Sequence, residues 1–350
     1  MKQKRISLLD CTLRDGGFAL EDADKNGIKT DVFTEKQLND LAESVVNSGA
    51  EIIELGAIEA TTDDKKGFAI YQSMEEISFV MPDKKFKEQL FAGLYRGPDV
   101  DLATIPDWRS GLCEIARVIL RYSELVKSLD FCEGLCKKGY KVCLQPMVTV
   151  RYTDEELNLV LDRANAMGAF AAYFVDSYGY MTPKDIEYYY RKYDSKLAPQ
   201  IRIGFHAHNN MEMAFSNVVR FLEISGACTA DRNVIVDSCA TGMGQGTGNA
   251  QSEVVMNYLN NCYGKSYDLN EMFKACELVD MFNVDHLWGY SATRFIPAMN
   301  KTAYKYALAL KNKFGMSLSE INSVLCKMPE DLRYRYTPDN TKSLLQRVKG

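Results

Sequence analysis

The feature that most constrains the fold is an alternation of short apolar runs with amphipathic helical patterns over most of this 350-residue chain. Eight runs are rich in β-branched and aromatic residues, as strands are. They predict strands over 6–13, 51–58, 88–95, 116–122, 141–150, 171–179, 201–209 and 233–242. This order is typical of an α/β protein with a (β/α)8 TIM barrel. A doubly wound open sheet competes with it, but that fold would use fewer strands and carry a glycine fingerprint after the first, where this chain has "RDGGF".

Helices are predicted between most of the strands, with recognisable ends. The helical patterns cover 34–49, 153–168, 182–197, 211–226 and 250–264. Thr34 is a suitable N-cap and Gly49 a stop signal for the first of them. From about 268 onward the pattern is helical only and contains no Gly/Ser/Pro linker. The sequence therefore predicts a barrel domain over 1–265 and a helical C-terminal extension over 266–350, packed on the barrel.

Charge and composition argue against a membrane protein, an exported protein and a nucleic-acid-binding protein. The net charge is −5, no apolar run reaches 18 residues, and the first residues lack the apolar core of a signal peptide. Ten cysteines occur without a CxxC pair. These features predict a cytoplasmic protein with reduced thiols and no membrane segment. A mildly acidic chain without a basic cluster gives no reason to expect nucleic-acid binding.

Two of the three histidines stand two residues apart in "GFHAHNN", on the seventh predicted strand. Residues two apart on a strand face the same side, so His206 and His208 should converge at the C-terminal end of the barrel, where barrel active sites lie. Such a pair supplies two ligands of a metal site. Asp15, just past the first strand, is the best acidic candidate for a third, and the adjacent Arg14 could stabilise an enolate oxygen.

Three motifs together resemble a known superfamily. "DCTLRDGG" at the first strand, "GFHAHNN" at the seventh and "GMGQGTGN" after the eighth resemble the DRE-TIM metallolyases, which are HMG-CoA lyase-like barrels. The most similar branch is the 4-hydroxy-2-oxovalerate aldolase family. The resemblance implies that Asp15, His206 and His208 bind a divalent metal, Mn²⁺ or Mg²⁺. Asn249 matches a position that is a ligand or near-ligand in the lyases, and it is equally suited to cap a helix.

The resemblance also implies a reaction and a substrate site. The reaction is metal-dependent cleavage or formation of a carbon–carbon bond of a small 2-oxo acid, through a pyruvate enolate that Arg14 helps to stabilise. Ser177, in "VDSYG", would contact the substrate together with Arg14 and His206. Tyr290, in "GYSATRF", would lie over the site and act in catalysis.

One position departs from the family pattern. The aldolases carry a catalytic histidine three residues after the metal-binding aspartate, and this chain has Phe18 there. His286, the third histidine, is a candidate for the catalytic base that deprotonates the 4-hydroxyl. It would share a face with Tyr290 if one helical turn joined them. A metal-bound hydroxide, or a substrate that needs no base at this place, are the alternatives.

Two other functions stay open at this stage. One is a Claisen-type synthase that transfers an acyl group to a 2-oxo acid. The other is a catalytically altered barrel that binds metal and keto acid and serves a partner protein. The aromatic-rich helical tail is a candidate contact for a homodimer, and the related aldolases work with an aldehyde dehydrogenase partner.

Overall fold

The computed structural model describes residues 6–227, 231–283 and 286–349. Within them, nine strands form one all-parallel sheet. The strands are Ile6–Asp10 (β1), Ile52–Ile58 (β2), Ile70–Tyr71 (β3), Leu90–Tyr95 (β4), Ile115–Leu120 (β5), Lys141–Pro146 (β6), Ala171–Asp176 (β7), Arg202–Ala207 (β8) and Val234–Ser238 (β9). All eight predicted strands are present, and β3 is an addition inside the irregular connection 59–87.

The sheet closes on itself because β1 pairs with both β2 and β9. Leu9 lies opposite Ile52 on one side, and Ile6 lies opposite Val234 on the other. The short β3 pairs with the end of β2 and stands outside the ring of eight. The predicted (β/α)8 barrel is therefore confirmed. Its parallel strands bring all their carboxyl ends to one face, where β1 and β8 are separated only by β9.

Helices surround the barrel and then continue beyond it. They are Thr12–Lys25 (α1), Glu35–Ser48 (α2), Met74–Ile77 (α3), Leu125–Lys137 (α4), Asp154–Met167 (α5), Pro183–Lys196 (α6), Ala214–Ala227 (α7), Ser252–Tyr263 (α8), Leu269–Asp280 (α9), Ala292–Met299 (α10), Lys305–Phe314 (α11), Leu318–Leu325 (α12), Glu330–Arg333 (α13) and Pro338–Lys349 (α14). The five predicted helices correspond to α2, α5, α6, α7 and α8. Thr34 caps α2 through a capping box, and Gly49 ends it in the left-handed conformation with φ +94°. None of the described helices is long and apolar enough to cross a lipid bilayer.

Six of the eight predicted strands end earlier than expected, and in two of them the structure shows a local reason. The first was predicted to reach residue 13, but β1 ends at Asp10, whose carboxylate accepts a hydrogen bond from the Thr12 backbone N–H at 3.0 Å and starts α1. The fifth was predicted to reach residue 150, but β6 ends at Pro146, and Val148 has φ +56°. A β-branched residue in the left-handed region breaks the extended chain.

The C-terminal helices contact the barrel in two ways. Helix α9 packs beside α2 on the outside of the barrel. Helices α10 to α14 enclose a small apolar core of their own, which includes Tyr306, Leu310, Ile321, Leu325 and Leu344. Tyr178 follows β7, and its hydroxyl donates a hydrogen bond to the Tyr334 carbonyl at 2.7 Å. This bond connects the C-terminal helices to the carboxyl end of the barrel. The boundary at residues 265 and 266 stays a prediction.

Candidate metal centre and substrate cavity

Asp15 lies one turn into α1, at the face of the barrel where the strands end. The helix can start there because two glycines follow the aspartate. A Cβ atom on Gly17 would lie 1.8 Å from the Phe68 carbonyl oxygen, and one on Gly16 would lie 2.5 Å from the Met243 sulfur. Glycine at these positions lets α1 approach the neighbouring loops and holds Asp15 over the barrel.

The histidine pair faces Asp15, as predicted from the strand period. His206 Nε2 lies 3.4 Å from Asp15 Oδ2, and the rings of His206 and His208 have centroids 5.0 Å apart. His206 Nδ1 is 3.0 Å from Asp237 Oδ2. A carboxylate at Nδ1 favours the tautomer with its proton there, which leaves the Nε2 lone pair directed toward Asp15.

Asn249 completes this group from the loop that follows β9. Its amide nitrogen donates to Asp15 Oδ2 at 2.9 Å and to Cys239 Sγ at 3.2 Å. Its amide oxygen is buried and has no hydrogen-bond partner among the described residues. Ser252 is the first residue of α8 and Gln251 is its N-cap, so Asn249 is not the cap of that helix. A buried, unpaired oxygen beside a carboxylate is a suitable donor for a cation.

The donor set fits a divalent metal. Ligand atoms of Cys11, Asp15 and His206 all lie within 4.8 Å of one another. An imidazole nitrogen and a carboxylate oxygen in adjacent positions around one ion, each about 2.1 Å from it, are about 3.0–3.4 Å apart. The separation between Asp15 and His206 is 3.4 Å, so a single ion can bridge them. His208 lines the same cavity as these two residues, and Asn249 contacts Asp15 through its amide nitrogen.

The protonation states also suit metal binding. Burial raises the pKa of Asp15, but Arg14 and the two histidines outweigh burial and hold that pKa below its ordinary value. Burial lowers the pKa of His206 well below its ordinary value, and lowers that of His208 as well. At neutral pH the carboxylate is therefore charged and both imidazoles are neutral, which are the forms that bind metals.

A buried chain of alternating charges holds these groups in place. Arg14 hydrogen-bonds to Asp15 and donates from Nε to Glu54 Oε2 at 2.7 Å. Arg117, 1% exposed, lies 2.8 Å from the same Glu54 oxygen and also bonds to Asp237. Because Asp237 contacts His206, the chain runs without a break from the guanidinium of Arg14 to the imidazole.

A cavity of about 300 Å³ opens from this centre toward the C-terminal helices. It is lined by Arg14 and the candidate metal ligands, by other barrel residues and by residues of the C-terminal extension: Arg14, Asp15, Phe18, Leu94, Ile119, Gln145, Met147, Val148, Val175, Ser177, Tyr178, His206, His208, Gln245, Ala303, Tyr304, Lys305, Tyr334, Arg335 and Tyr336. The predicted contact Ser177 thus lines the cavity. Its Oγ accepts from the Val148 backbone N–H at 2.7 Å, which leaves the hydroxyl proton free for a ligand.

The structure does not bring the two remaining predicted residues to this cavity. Tyr290 is 60% exposed, and His286 is exposed with φ +55°. Helix α10 begins only at Ala292, so residues 286–290 do not form the helical turn that would align the two side chains. Arg294 instead fixes the segment through the carbonyl oxygens of His286, at 2.7 Å, and Gly289, at 3.0 Å. The catalytic roles of His286 and Tyr290 stay predictions.

Sequence reasoning missed Arg117 and Asp237. Each is the single charge of an otherwise apolar strand, Arg117 in "IARVIL" (β5) and Asp237 in "VIVDS" (β9). That pattern is itself a signal, because a charge inside a strand buried on both faces requires a partner. Gln145 shares this environment: with its amide oxygen toward Arg117, it accepts from Nη2 at 3.0 Å and Nε at 3.1 Å.

Comparison with known proteins shows what this chain is similar to. Residues 113–279 match the HMGL-like family model. The chain is 25% identical over 286 residues to the 4-hydroxy-2-oxovalerate aldolase of Carboxydothermus hydrogenoformans, covering 79% of this chain and 77% of that protein. It is 28% identical over 289 residues to the enzyme of the same name from Roseiflexus sp. (strain RS-1), covering 78% and 75%.

A solved structure has the same fold. It is the N-terminal domain of a putative aldolase from Bacteroides vulgatus, with a TM-score of 0.69 at 18% identity over 88% of this chain and 98% of that one. The relatives found by sequence and the observed barrel fold are those that the motifs "DCTLRDGG", "GFHAHNN" and "GMGQGTGN" predicted. The resemblance inferred from those motifs is confirmed: the chain is similar to the HMGL-like family over residues 113–279 and to 4-hydroxy-2-oxovalerate aldolases over most of its length.

Proposed function

We propose that this protein is a divalent-metal-dependent aldolase that cleaves a 4-hydroxy-2-oxo acid to pyruvate and an aldehyde. The observation that carries the proposal is that Arg14, Asp15, His206 and His208 line one cavity, with His206 Nε2 3.4 Å from Asp15 Oδ2. The similarity to 4-hydroxy-2-oxovalerate aldolases supports the reaction type.

In this proposal, separate side chains bind the metal and stabilise the enolate. Asp15, His206 and His208 hold the metal, with Asn249 beside them. When bound, the metal supplies positive charge that stabilises a developing enolate oxygen. Arg14 adds a fixed positive charge at the same end of the cavity, and its hydrogen bond to Glu54 sets the guanidinium before the substrate arrives.

The rest of the cavity orients and shields the substrate. The free hydroxyl proton of Ser177 can be donated to the substrate carboxylate. The apolar wall that includes Leu94, Ile119 and Val175 excludes water from the bond that breaks.

Two imidazoles and a carboxylate are donors that Mn²⁺ and Mg²⁺ accept, and nitrogen ligands favour Mn²⁺. We expect the purified protein to bind Mn²⁺ more tightly than Mg²⁺, which competition titration measures. Loss of Mn²⁺ binding in Asp15→Asn with retained folding is the expected control result.

Exchange of pyruvate C3 protons with deuterium, followed by NMR, tests the proposal. Metal-dependent exchange is expected, and Arg14→Gln should lower its rate by about 10²–10³. Cleavage of 4-hydroxy-2-oxovalerate then separates an aldolase from a Claisen-type synthase, which requires an acyl donor. Tight metal and pyruvate binding without exchange would instead indicate a barrel that has lost turnover.

A homodimer, an aldehyde dehydrogenase partner and a cytoplasmic location belong to the same proposal. They are supported by the resemblance and by the sequence pattern. Light scattering at several protein concentrations tests the first, and co-purification with a dehydrogenase that consumes the product aldehyde tests the second.

A further inference from the structure

The cavity wall has no proton acceptor at the position where the related aldolases carry a histidine. Phe18 is buried there and packs against Ala57, Ile70 and Leu94. Its ring faces the Arg96 guanidinium, 4.2 Å from the ring centroid. A phenyl ring cannot take a proton, so the substrate hydroxyl needs an acceptor from another part of the cavity.

A carboxylate lies one helical turn beyond Phe18. Asp22 follows it by four residues in α1, so the two side chains point from the same face of the helix, about 6 Å apart along it. Asp22 is outside the cavity lining, but a residue of the lining reaches it. The Tyr304 hydroxyl donates to Asp22 Oδ2 at 2.7 Å, and Lys305 Nζ lies 2.5 Å from Asp22 Oδ1.

Tyr304 is held firmly between the cavity and α1. It is buried, 7% exposed, and lines the cavity with its neighbour Lys305. A Cβ atom on Gly246 would lie 3.4 Å from Tyr304 Cγ, so the ring packs against the loop that contains Gln245. Gln245 lines the cavity too, and its amide donates to the Phe18 carbonyl at 3.5 Å. Tyr304 thus lines the cavity and also contacts the Asp22 carboxylate, which does not line it.

We propose that Tyr304 accepts the proton of the substrate 4-hydroxyl while passing its own proton to Asp22. The proposal rests on the aldolase function proposed above. As the hydroxyl O–H bond breaks, the C4–O bond becomes a carbonyl and the C3–C4 electron pair forms the enolate. Tyr304 stays a neutral phenol throughout, and Asp22 carries the released proton until solvent takes it. The enolate carbon receives a proton from solvent, so the reaction balances without a co-reactant.

The environment favours a relay in which no free phenolate forms. Burial, and next the charge of Asp22, raise the pKa of Tyr304 well above its ordinary value. A simultaneous transfer avoids that costly anion. Lys305 pairs with the Asp22 carboxylate through Nζ and holds it beside the phenol. Asp22 and Lys305 act on the substrate only through Tyr304, so both are positioning residues.

The same helix offers a matched control. Tyr306 is also buried, and its hydroxyl donates to the carbonyl oxygens of Leu332 and Arg335 at 2.7 and 2.8 Å. It belongs to the core of the C-terminal helices and does not line the cavity. Tyr306→Phe therefore removes a hydrogen-bonded phenol from α11 without touching the relay.

The test compares Tyr304→Phe with Tyr306→Phe in the Mn²⁺-loaded protein. Three quantities are measured: the pyruvate dissociation constant by calorimetry, pyruvate deuterium exchange, and kcat and KM for 4-hydroxy-2-oxovalerate. Tyr304→Phe should lower kcat by about 100-fold or more, with KM, pyruvate binding and exchange within threefold of wild type. Tyr306→Phe should leave all of them within threefold.

Asp22 supplies the second variant. Asp22→Asn should reproduce the loss of kcat at unchanged KM, and Asp22→Glu should restore part of it. Cleavage within threefold of wild type in Tyr304→Phe would overturn the relay, as would a parallel loss of pyruvate binding, which indicates a structural role. Absence of exchange in the wild-type protein would overturn the aldolase function itself, and the relay with it.

Discussion

The contact between Asp237 and His206 gives a prediction whose size can be worked out from the structure. Asp237 Oδ2 receives both the Arg117 guanidinium and His206 Nδ1, while Asp237 Oδ1 has no partner among the described residues. Asp237→Asn can keep both hydrogen bonds by placing its oxygen where Oδ2 is now. The substitution therefore removes the negative charge and little else.

The loss of that charge should appear in two measurements. Removing the carboxylate partner of a metal-binding histidine lowers metal affinity by about 10–100-fold. Since the hydrogen bond to His206 survives, we expect about tenfold for Asp237→Asn and about 100-fold for Asp237→Ala. Removing one member of a buried ion pair costs about 3–5 kcal/mol of stability, and the retained contact of Arg117 with Glu54 favours the lower value.

The assay is competition of Mn²⁺ between the protein and a fluorescent chelator, with urea unfolding of the metal-free protein beside it. Asp194→Asn is the control. Asp194 pairs with the buried Arg232 at 2.7 Å on the outside of the barrel, so its loss should lower stability and leave Mn²⁺ affinity unchanged. If Asp237→Asn and Asp237→Ala both bind Mn²⁺ like the wild type, Asp237 does not orient the ligand, and the reasoning fails.

Two further substitutions test the helix and the pH dependence. Gly17→Ala should destabilise the protein by about 1–3 kcal/mol and weaken Mn²⁺ binding, because its Cβ would collide with the Phe68 carbonyl. Gly226→Ala in α7 is the control. Open space surrounds that position, so the substitution should be neutral or stabilising in the same urea titration. Burial raises the pKa of Asp176 from 3.8 to about 7, so the folded state holds an extra proton between these values and stability should fall as pH rises through them. Asp176→Asn should remove that loss, and parallel pH curves for mutant and wild type would contradict it.

The barrel could be predicted from sequence because its signals are local. A strand buried on both faces needs a continuous apolar run, and "EIIELGAI" and "KVCLQPMVTV" show this without reference to the rest of the chain. Helix ends are equally local, as Thr34 and Gly49 show for α2. The convergence of His206 and His208, the candidate metal ligands, could be predicted for the same reason, since the strand period places them on one side.

The parts that could not be predicted depend on contacts between distant segments. "DCTLR" has no helical pattern, and α1 starts there because Gly16 and Gly17 permit close approach to Met243 and Phe68. The hydrogen bond between Tyr304 and Asp22 joins residues 282 positions apart. No spacing rule connects them, so the contact between Tyr304 and the carboxylate one turn beyond Phe18 becomes visible only in three dimensions.

The buried charges support a functional site independently of sequence similarity. Replacement of a buried ion network by apolar side chains is often neutral or stabilising, so stability alone gives little reason for Arg117 to lie in the barrel interior. Unpaired buried oxygens of Glu54, Asp237 and Asn249 add a further cost, and all three belong to residues that touch the chain of charges or Asp15. Groups that bind a charged substrate and a cation must be held in place before either arrives. A preorganised site therefore explains why these destabilising buried groups occur together around Asp15 and His206.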